Sequence, residues 1–243
     1  MIKDLIQDIL FNYSYLTLYV IAFVYFLLLY FLLAPVFLAI CKKLYRKKIV
    51  TRIIEADVTK KQIRFEKLHS LKSIIIFGFS IFPVIYFIRN HTISLLPDTF
   101  INIMKGIILL TLWNEIHFFI VHRIMHIPFF MKKVHRVHHK SKIPTVYSVY
   151  SFHWLEAVLL STVPITIVPF IPFSPLAIFI YPFCSILLNY AGHCNYRFGS
   201  GIGASWQLFG TFHNQHHYNL RKNYGFASNI LDMLFVKINR KKK

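Results

Sequence analysis

The sequence predicts an all-α integral membrane protein, a helical bundle of about four spans or hairpin helices with a histidine-rich cap on the cytoplasmic side. Apolar residues make up 56% of the 243 residues, and the mean hydropathy is +0.52, which is too apolar for a soluble globule. Several apolar runs approach the length of about 20 residues that crosses a bilayer. Basic residues lie in blocks beside these runs, as in the cytoplasmic loops of membrane proteins.

The first predicted span runs from Tyr13 to Ile40. The segment Lys42–Lys72 follows, and it holds 11 of the 28 basic residues, so the positive-inside rule places it in the cytoplasm. A short apolar run, Ser73–Ile88, is predicted to return across the membrane. Ile101–Val121 is then predicted to cross back and to end at the cytoplasmic face.

The segment Ile143–Tyr196 contains neither Lys nor Arg and carries six prolines. This composition predicts two short helices that meet at a proline-rich turn around 168–175, as a hairpin that dips into the membrane and returns. From Arg197 onward the chain is mixed and basic, which predicts the cytoplasmic cap. No nucleic-acid recognition motif accompanies the formal charge of +19, so we expect the lipid bilayer, and no nucleic acid, as the partner of these charges.

Three histidine patterns carry the chemistry: one HxxxH pair and two HxxHH boxes. Spacings of three and four place imidazoles on one face of a helix, where they can share a metal ion. A mononuclear site rarely uses more than four or five protein nitrogens, so eight histidines predict two metal ions, which act jointly when about 3.5–4 Å apart. The eight box histidines are His122, His126, His135, His138, His139, His213, His216 and His217.

The other five histidines have different predicted roles. His117 lies inside a span and is expected to be buried and hydrogen-bonded, while His69 and His91 are expected to be solvated loop residues. His153 and His193 are each ambiguous alone. However, the predicted topology returns both of them to the face that carries the eight box histidines, which makes ten on one side.

From Trp113 to Val236 the chain resembles the fatty acid hydroxylase / sterol desaturase superfamily of membrane di-iron enzymes. Besides the boxes, the resemblance is carried by Glu115 seven residues before His122, where the family usually has Asp. It is also carried by three motifs and a closing element, namely Phe152-His153-Trp154-Leu155-Glu156, Gly192-His193-Cys194-Asn195, Asn223-Tyr224-Gly225 and Leu231-Asp232-Met233-Leu234-Phe235.

The resemblance implies two iron ions as cofactor, O2 as co-substrate, and metal ligation by the eight box histidines together with His193 and His153. Where some members carry a further histidine, this chain has Asn189. Either His153 completes the set or one metal keeps an open position. Ligating imidazoles usually donate their second N–H to a carboxylate or carbonyl, so the candidates for supporting the ligands are Glu115, Glu156, Asn195, Asn223 and Asp232.

These observations predict three regions: 1–112, a transmembrane region with a basic cytoplasmic loop; 113–236, a fatty acid hydroxylase-like catalytic domain; and 237–243, a basic tail. The expected reaction is hydroxylation or desaturation of a lipid such as a fatty acyl chain or sterol. Electrons are expected from a separate donor of cytochrome b5, ferredoxin or flavoprotein type. A bacterial inner membrane or the endoplasmic reticulum would both suit the chain.

Two alternatives remain at the level of sequence. A zinc-dependent membrane hydrolase predicts turnover without O2, although the chain lacks the HExxH spacing that usually sets a general base beside a zinc pair. A metal-transporting or metal-binding membrane protein predicts ligands on a path through the membrane rather than at one face.

Overall fold

The computed structural model describes residues 2–198 and 211–240, and 67% of the chain is helical. The described part contains eleven α-helices, one 3-10 helix and two short strands. In chain order the elements are α1 (Ile2–Phe11), α2 (Tyr15–Phe31), α3 (Leu33–Arg46), β1 (Val50–Arg52), α4 (Lys60–Phe79), α5 (Ile81–Arg89), α6 (Phe100–Met125), α7 (Pro128–Lys133), the 3-10 helix His135–Lys140, α8 (Trp154–Ser161), α9 (Pro175–His193), β2 (Tyr196–Phe198), α10 (Thr211–Tyr218) and α11 (Ile230–Arg240).

Four helical segments among the described residues are long and apolar enough to cross a membrane. They are α2 with α3 (Tyr15–Arg46), α4 with α5 (Lys60–Arg89), α6 and α9. These segments confirm the predicted all-α membrane bundle.

Two predicted boundaries were wrong. The run expected to begin at Ser73 is the second half of a helical segment that begins at Lys60, where the Thr59 side chain accepts a hydrogen bond from Gln62 N. Lys, Gln, Arg and Glu are good helix formers, so the basic segment continues the apolar helix instead of forming a loop. Likewise, α9 is not short: Pro175 occupies its first turn, where proline is tolerated, and the helix runs for 19 residues.

Glycines allow two close contacts between helices. At Gly106 in α6, an added Cβ would lie 2.5 Å from the Cβ of Ala177 in α9. At Gly78 in α4, an added Cβ would lie 2.7 Å from the ring of Tyr19 in α2. Small residues allow helix backbones to approach within the membrane, where packing is a main source of association.

A two-stranded antiparallel sheet ties the cap to the basic loop after α3. Val50 pairs with Phe198, Thr51 with Arg197 and Arg52 with Tyr196. Strands of three residues are too short to produce a period-two pattern, so the sequence did not predict them. The sheet joins the segment that leaves α9 to the N-terminal half of the chain.

Candidate metal centre

Nine of the 13 histidines converge at the end of the bundle where α6 and α9 terminate. His122 lies in the last turn of α6 and His193 is the last residue of α9, so both project from the ends of candidate spans. The remaining seven come from the residue that caps α6, from the 3-10 helix and from α10. They are His126, His135, His138, His139, His213, His216 and His217.

The nine imidazoles form two groups, in each of which one nitrogen per ring lies within 4.8 Å of the others. The first group is His122, His126, His135, His139 and His216. The second group is His138, His193, His213 and His217. The groups are adjacent: the ring centroids of His139 and His217, one from each group, are 4.8 Å apart.

Each HxxHH box is shared between the two groups. In the 3-10 helix, His135 and His139 belong to the first group and His138 to the second. In α10 the division is reversed, because His213 and His217 belong to the second group and His216 to the first. The middle histidine of each box, His138 or His216, therefore belongs to a different group from the two other histidines of its box. In that group the other box supplies two ligands.

The imidazoles are held in the neutral form that binds metals. Eight of the nine are at most 8% exposed, His126 being half-buried. Burial disfavours the charged imidazolium, and it lowers the pKa of His126 to about 3 and that of His216 to about 4. Burial, reinforced by neighbouring imidazoles, also lowers the pKa of His138, His139 and His217 well below its usual range.

A hydrogen bond between Nδ1 and an oxygen atom fixes the tautomer of six of these histidines. In each case Nδ1 must donate to that oxygen, which leaves a lone pair on Nε2. The pairs are His122 with Tyr224 O (2.8 Å), His135 with Glu156 Oε1 (2.7 Å), His193 with Asn189 O (2.9 Å), His213 with Gly225 O (3.3 Å), His216 with Lys222 O (2.6 Å) and His217 with Ser141 O (2.9 Å).

These tautomers make the centre a fit for cations. The Nε2 atoms of His193 and His217 lie 3.2 Å apart, although the Nδ1 of each is already a donor. Two lone pairs at that distance repel one another unless a cation lies between the rings. In addition, the buried Nε2 atoms of His122 and His213 have no hydrogen-bond partner within the described ranges. A donor set made only of imidazole suits iron, zinc, copper or nickel.

Glu156 is the predicted supporting carboxylate that bonds an imidazole directly. It lies in the first turn of α8 and is 3% exposed, and its Oε1 accepts from His135 Nδ1 at 2.7 Å. A carboxylate behind a ligating imidazole orients the ring and raises its basicity. Glu156 therefore supports the first group.

Glu115 and Asp232 act one step further away, through the segment 224–228. The carboxylate of Glu115 accepts from the backbone N–H groups of residues 226, 227 and 228 at 2.9–3.3 Å. Asp232 accepts from the N–H groups of Tyr224 and Gly225, both at 2.9 Å. The carbonyls of these two residues hold His122 and His213, so the acids position the ligands through a shared loop.

Asn195 and Asn223 do not bond an imidazole in the described structure. The Asn195 side chain instead pairs with the backbone of Ile54, accepting from its N–H and donating to its carbonyl, both at 2.9 Å. Both asparagines adopt the left-handed conformation, with φ of 60° and 62°. Asparagine tolerates that conformation better than most residues, so their contribution is to turn the chain after His193 and before Tyr224.

The structure does not bring His153 into either group. It caps α8, its Nδ1 accepts from Leu155 N at 3.3 Å, and its ring packs on Trp154. Asn189 is also not placed as a ligand, because its Nδ2 donates to Val149 O at 3.0 Å. The second group thus has four imidazoles where the first has five. His117 lies outside both groups, with its Nε2 3.0 Å from the Thr162 hydroxyl.

Sequence reasoning missed a polar stripe on α4 that supports the centre from the N-terminal half. Gln62 Nε2 donates to Ile143 O at 2.9 Å, Glu66 Oε2 accepts from Thr145 Oγ1 at 2.5 Å, and Ser70 Oγ donates to Tyr147 O at 3.1 Å. These three positions lie four residues apart and therefore share one face of α4. Their partners are residues 143, 145 and 147 of a segment that turns where Ser148 N donates to Thr145 O at 2.8 Å.

This stripe holds the segment that follows the 3-10 helix. The segment begins at Ser141, whose carbonyl accepts from His217 Nδ1. Glu66 itself is fully buried, and Gln62 Nε2 also donates to its Oε1 at 2.8 Å. The sequence signal for this polar stripe is the spacing of Gln62, Glu66 and Ser70, which lie four residues apart in a segment of good helix formers.

An apolar cavity of about 410 Å3 lies next to the centre. Its walls come from α1, α2, α5, α6, α8 and α9, and near the histidines it is lined by Phe118, Phe152, Phe226 and Asn189. The ring of Phe118 packs against His122 and that of Phe152 against His138, with centroids 4.9 and 4.8 Å apart. The rings of Phe118 and Phe152 therefore lie between the cavity and the two groups, and none of the nine imidazoles lines it.

Comparison with known proteins identifies one matching protein family and two similar proteins. Residues 107–236 match the family model described as "Fatty acid hydroxylase". The chain is 28% identical over 156 residues to human fatty acid hydroxylase domain-containing protein 2, covering 63% of this chain and 44% of that protein. The counterpart from Macaca fascicularis is 29% identical over 138 residues, covering 56% of this chain and 39% of that protein.

The chain spans about two fifths of the length of these curated relatives. No solved structure matches it. The family model nevertheless covers more than half of the chain and contains all nine histidines of the two groups. Together with the four apolar helical segments, this match makes the chain an integral membrane protein. The chain therefore belongs to the fatty acid hydroxylase family.

Proposed function

We propose that this protein is a membrane oxygenase that uses two iron ions and O2 to hydroxylate, or desaturate, a lipid. The observation that carries the proposal is the apolar cavity whose aromatic wall, at Phe118 and Phe152, packs against two adjacent groups of imidazoles. Its volume of about 410 Å3 lies within the range of small-molecule sites, roughly 300–1,000 Å3. The names of its family and of its relatives point to the same reaction class.

The dimensions of the cavity suit a single lipid chain. Its lining runs along α9 from Pro175 to Asn189, which is roughly 21 Å at a rise of 1.5 Å per residue. That is about two thirds of the hydrocarbon core of a bilayer. Because the histidine groups lie at the ends of α6 and α9, we propose that the lipid enters from the bilayer with its reacting carbon at the membrane boundary.

The residues of the chain would bind, orient and exclude water. The five imidazoles of the first group and the four of the second would hold one metal ion each, and Glu156 would keep His135 in its ligating tautomer. When bound, the irons would supply the redox chemistry that activates O2. In hydroxylation, one oxygen atom enters the C–H bond and the other leaves as water, which consumes two electrons and two protons.

Those electrons must come from elsewhere, since the sequence has no flavin, haem or iron–sulfur motif. We propose a separate donor of cytochrome b5, ferredoxin or flavoprotein type, on the cytoplasmic side of a bacterial inner membrane or of the endoplasmic reticulum. The lysines around the 3-10 helix, which include Lys133 and Lys140, make that face basic. The zinc-hydrolase alternative fits the centre less well, because catalytic zinc sites generally use three protein ligands and an open position.

The test is lipid mass spectrometry of cells that express the protein, compared with cells that express His138→Ala. We expect an oxidised or desaturated lipid with the parent, none with His138→Ala, and none with the parent under anaerobic conditions. The purified parent should contain about two irons per chain. A lipid change that persists without oxygen would favour the hydrolase, and an equally active His138→Ala variant would refute the proposed centre.

A further inference from the structure

One surface next to the metal centre exposes only positively charged side chains. It is formed by residues 60–66 at the start of α4 and by residues 135–142, which comprise the 3-10 helix and the two residues after it. Every exposed residue of these two stretches is a lysine or an arginine, whereas their acid, Glu66, is fully buried. We call the six exposed residues the basic face: Lys60, Lys61, Arg64, Arg136, Lys140 and Lys142.

The two stretches contact each other, and their charges are not neutralised. Lys140 Nζ lies 4.7 Å from the centroid of the Phe65 ring, and the polar stripe of α4 bonds the segment after the 3-10 helix. None of the six cations forms an ion pair with another described residue. The nearest exposed acids along the chain, Glu55 and Asp57, both pair with Arg52 at 3.6 Å. The positive charges therefore add to a field that attracts an acidic partner.

The basic face adjoins the first group of imidazoles. Arg136 follows His135 in the chain. Lys140 follows His139, and both of these histidines belong to the first group. In addition, the half-buried His126 belongs to the first group, whereas all four imidazoles of the second group are buried. A partner on the basic face would thus be separated from ligands of the first group by little more than the backbone of the 3-10 helix.

The basic face differs from the lysine clusters that lie at the membrane boundary. At the end of α3, the exposed Lys42 and Arg46 alternate with Ile40, Tyr45 and Ile49, which are 40–52% exposed. Such a mixture suits a bilayer surface, because the apolar side chains enter it while the cations bind head groups. The basic face exposes no large apolar side chain, so a protein surface suits it better than a bilayer.

We propose that the basic face is the docking surface of the electron donor, a protein with an acidic surface that carries one electron on a haem, iron–sulfur or flavin group. The inference rests on the proposed function in that the centre is taken to consume electrons. In each encounter the reduced donor would lose one electron, and the ferric ion held by the first group would gain it. Two encounters would supply the two electrons of one turnover.

The test measures binding rather than turnover. Purified metal-loaded protein is placed in nanodiscs of phosphatidylcholine, a zwitterionic lipid, without O2. Microscale thermophoresis then measures its affinity for two acidic one-electron carriers, the haem domain of cytochrome b5 and a plant-type ferredoxin, with basic cytochrome c as the negative control. We expect an acidic carrier to bind at low salt and to bind about tenfold more weakly at about 0.2 M salt, because salt screens exposed charges. Cytochrome c should not bind.

A matched pair of charge reversals identifies the surface. Arg136→Glu combined with Lys140→Glu should weaken binding of the acidic carrier by roughly tenfold or more. Lys42→Glu combined with Arg46→Glu is the control, since it makes the same change of charge at the same spacing but at the end of α3. The control should bind the carrier as the parent does.

A second pair protects the test against damage to the neighbouring ligands. Unchanged metal content identifies intact protein, and Lys61→Glu combined with Arg64→Glu alters the basic face from α4 instead of from the 3-10 helix. This pair should also weaken binding. Failure of both acidic carriers to bind, or an equal loss of affinity in the α3 control, would overturn the inference.

An anionic bilayer surface is the competing occupant of the basic face. Native mass spectrometry of protein released from bilayers that contain phosphatidylglycerol counts the bound anionic lipids. If the Arg136 and Lys140 reversals lower that count while the affinity for the carriers stays unchanged, the face binds lipid and the inference is wrong.

The outcomes also separate this inference from the proposed function. A protein that oxidises lipids but binds neither acidic carrier would refute the docking surface alone. A protein that binds a carrier through the basic face but never oxidises a lipid would refute the proposed reaction and leave the docking surface intact.

Discussion

At the residue scale, the centre depends on oxygens that the sequence motifs do not contain. Five of the six oxygens that fix an Nδ1 proton are backbone carbonyls, and only Glu156 supplies a side chain. Every residue type has a backbone carbonyl, so no sequence motif could identify these hydrogen-bond partners. The imidazoles, in contrast, are recognisable from spacing because no other side chain replaces them as a neutral nitrogen ligand.

The ligand set can be tested with His217→Ala and His153→Ala. His217 belongs to the second group, which has four imidazoles, whereas the ring of His153 packs on Trp154 outside both groups. We expect His217→Ala to lower the metal content of the purified protein from about two ions per chain towards one, and His153→Ala to leave it unchanged. Elemental mass spectrometry provides the measurement, and equal losses in both variants would contradict the assignment.

Glu156→Gln tests the support of the first group. Glutamine keeps an oxygen near His135 Nδ1 but cannot stabilise the ring as a carboxylate does. We expect metal affinity to fall by about 10–100-fold, the usual cost of losing such a partner, as measured by competition with a chelator. Glu55→Gln is the control because the Glu55 side chain is 66% exposed. An affinity unchanged in Glu156→Gln would show that the carboxylate only fills space.

At the scale of elements, α4 joins the N-terminal half to the centre through the polar stripe Gln62, Glu66 and Ser70. Glu66→Leu would remove the acceptor of the Thr145 hydroxyl and one of the two acceptors of the Gln62 amide. An unpaired buried group costs roughly 1–3 kcal/mol. We expect the apparent melting temperature to drop by several degrees, at about 2–4 °C per kcal/mol for a chain of this size.

The same variant should weaken the second group more than the first, because the segment that the stripe holds begins at Ser141, which fixes His217. Metal titration followed by spectroscopy would then show one ion lost before the other. Glu55→Gln again serves as the control. Equal loss of both ions would indicate that Glu66 stabilises the fold without positioning a ligand.

The contact between α6 and α9 can be tested with a double-mutant cycle. Gly106→Ala places a Cβ 2.5 Å from the Cβ of Ala177, and overpacking of this kind typically costs about 1–3 kcal/mol. Ala177→Gly removes the opposing atom, so the double variant should recover much of the lost thermal stability. Additive losses would show that the two residues do not meet.

Some helices and strands could be predicted from the sequence and others could not. Three of the four spans were visible because soluble domains rarely contain apolar runs that approach bilayer length. The fourth, α9, was expected only as a short helix of a hairpin, because prolines flank and interrupt it. The beginning of α4 could not be predicted, because the composition of Lys60–Lys72 is typical both of a cytoplasmic loop and of a helix. The strands Val50–Arg52 and Tyr196–Phe198 were invisible, because three residues show no periodicity and their pairing joins segments far apart in the chain.

At the scale of the whole molecule, bound metal should contribute to the stability of the fold. The nine histidines come from four separate stretches of chain, so an ion that binds only the folded arrangement stabilises it through mass action. At a free metal concentration of 100 times the dissociation constant, the gain is about 2.7 kcal/mol per site.

Removal of metal with a chelator should therefore lower the melting temperature in a differential scanning measurement, and added metal should restore it. His138→Ala is the informative control, because with a damaged second group it should respond less to the chelator. An unchanged melting temperature of the parent after complete removal of metal would show that the cap is held by protein contacts alone.

The reciprocal division of the two HxxHH boxes has a consequence for how the centre fills. The first ion to bind would order the 3-10 helix through His135 and His139, and the middle histidine of that helix, His138, is a ligand of the other site. An ion in either site thereby pre-organises a ligand of its neighbour. Metal loading should be positively cooperative, so that chains with no ions and chains with two outnumber chains with one.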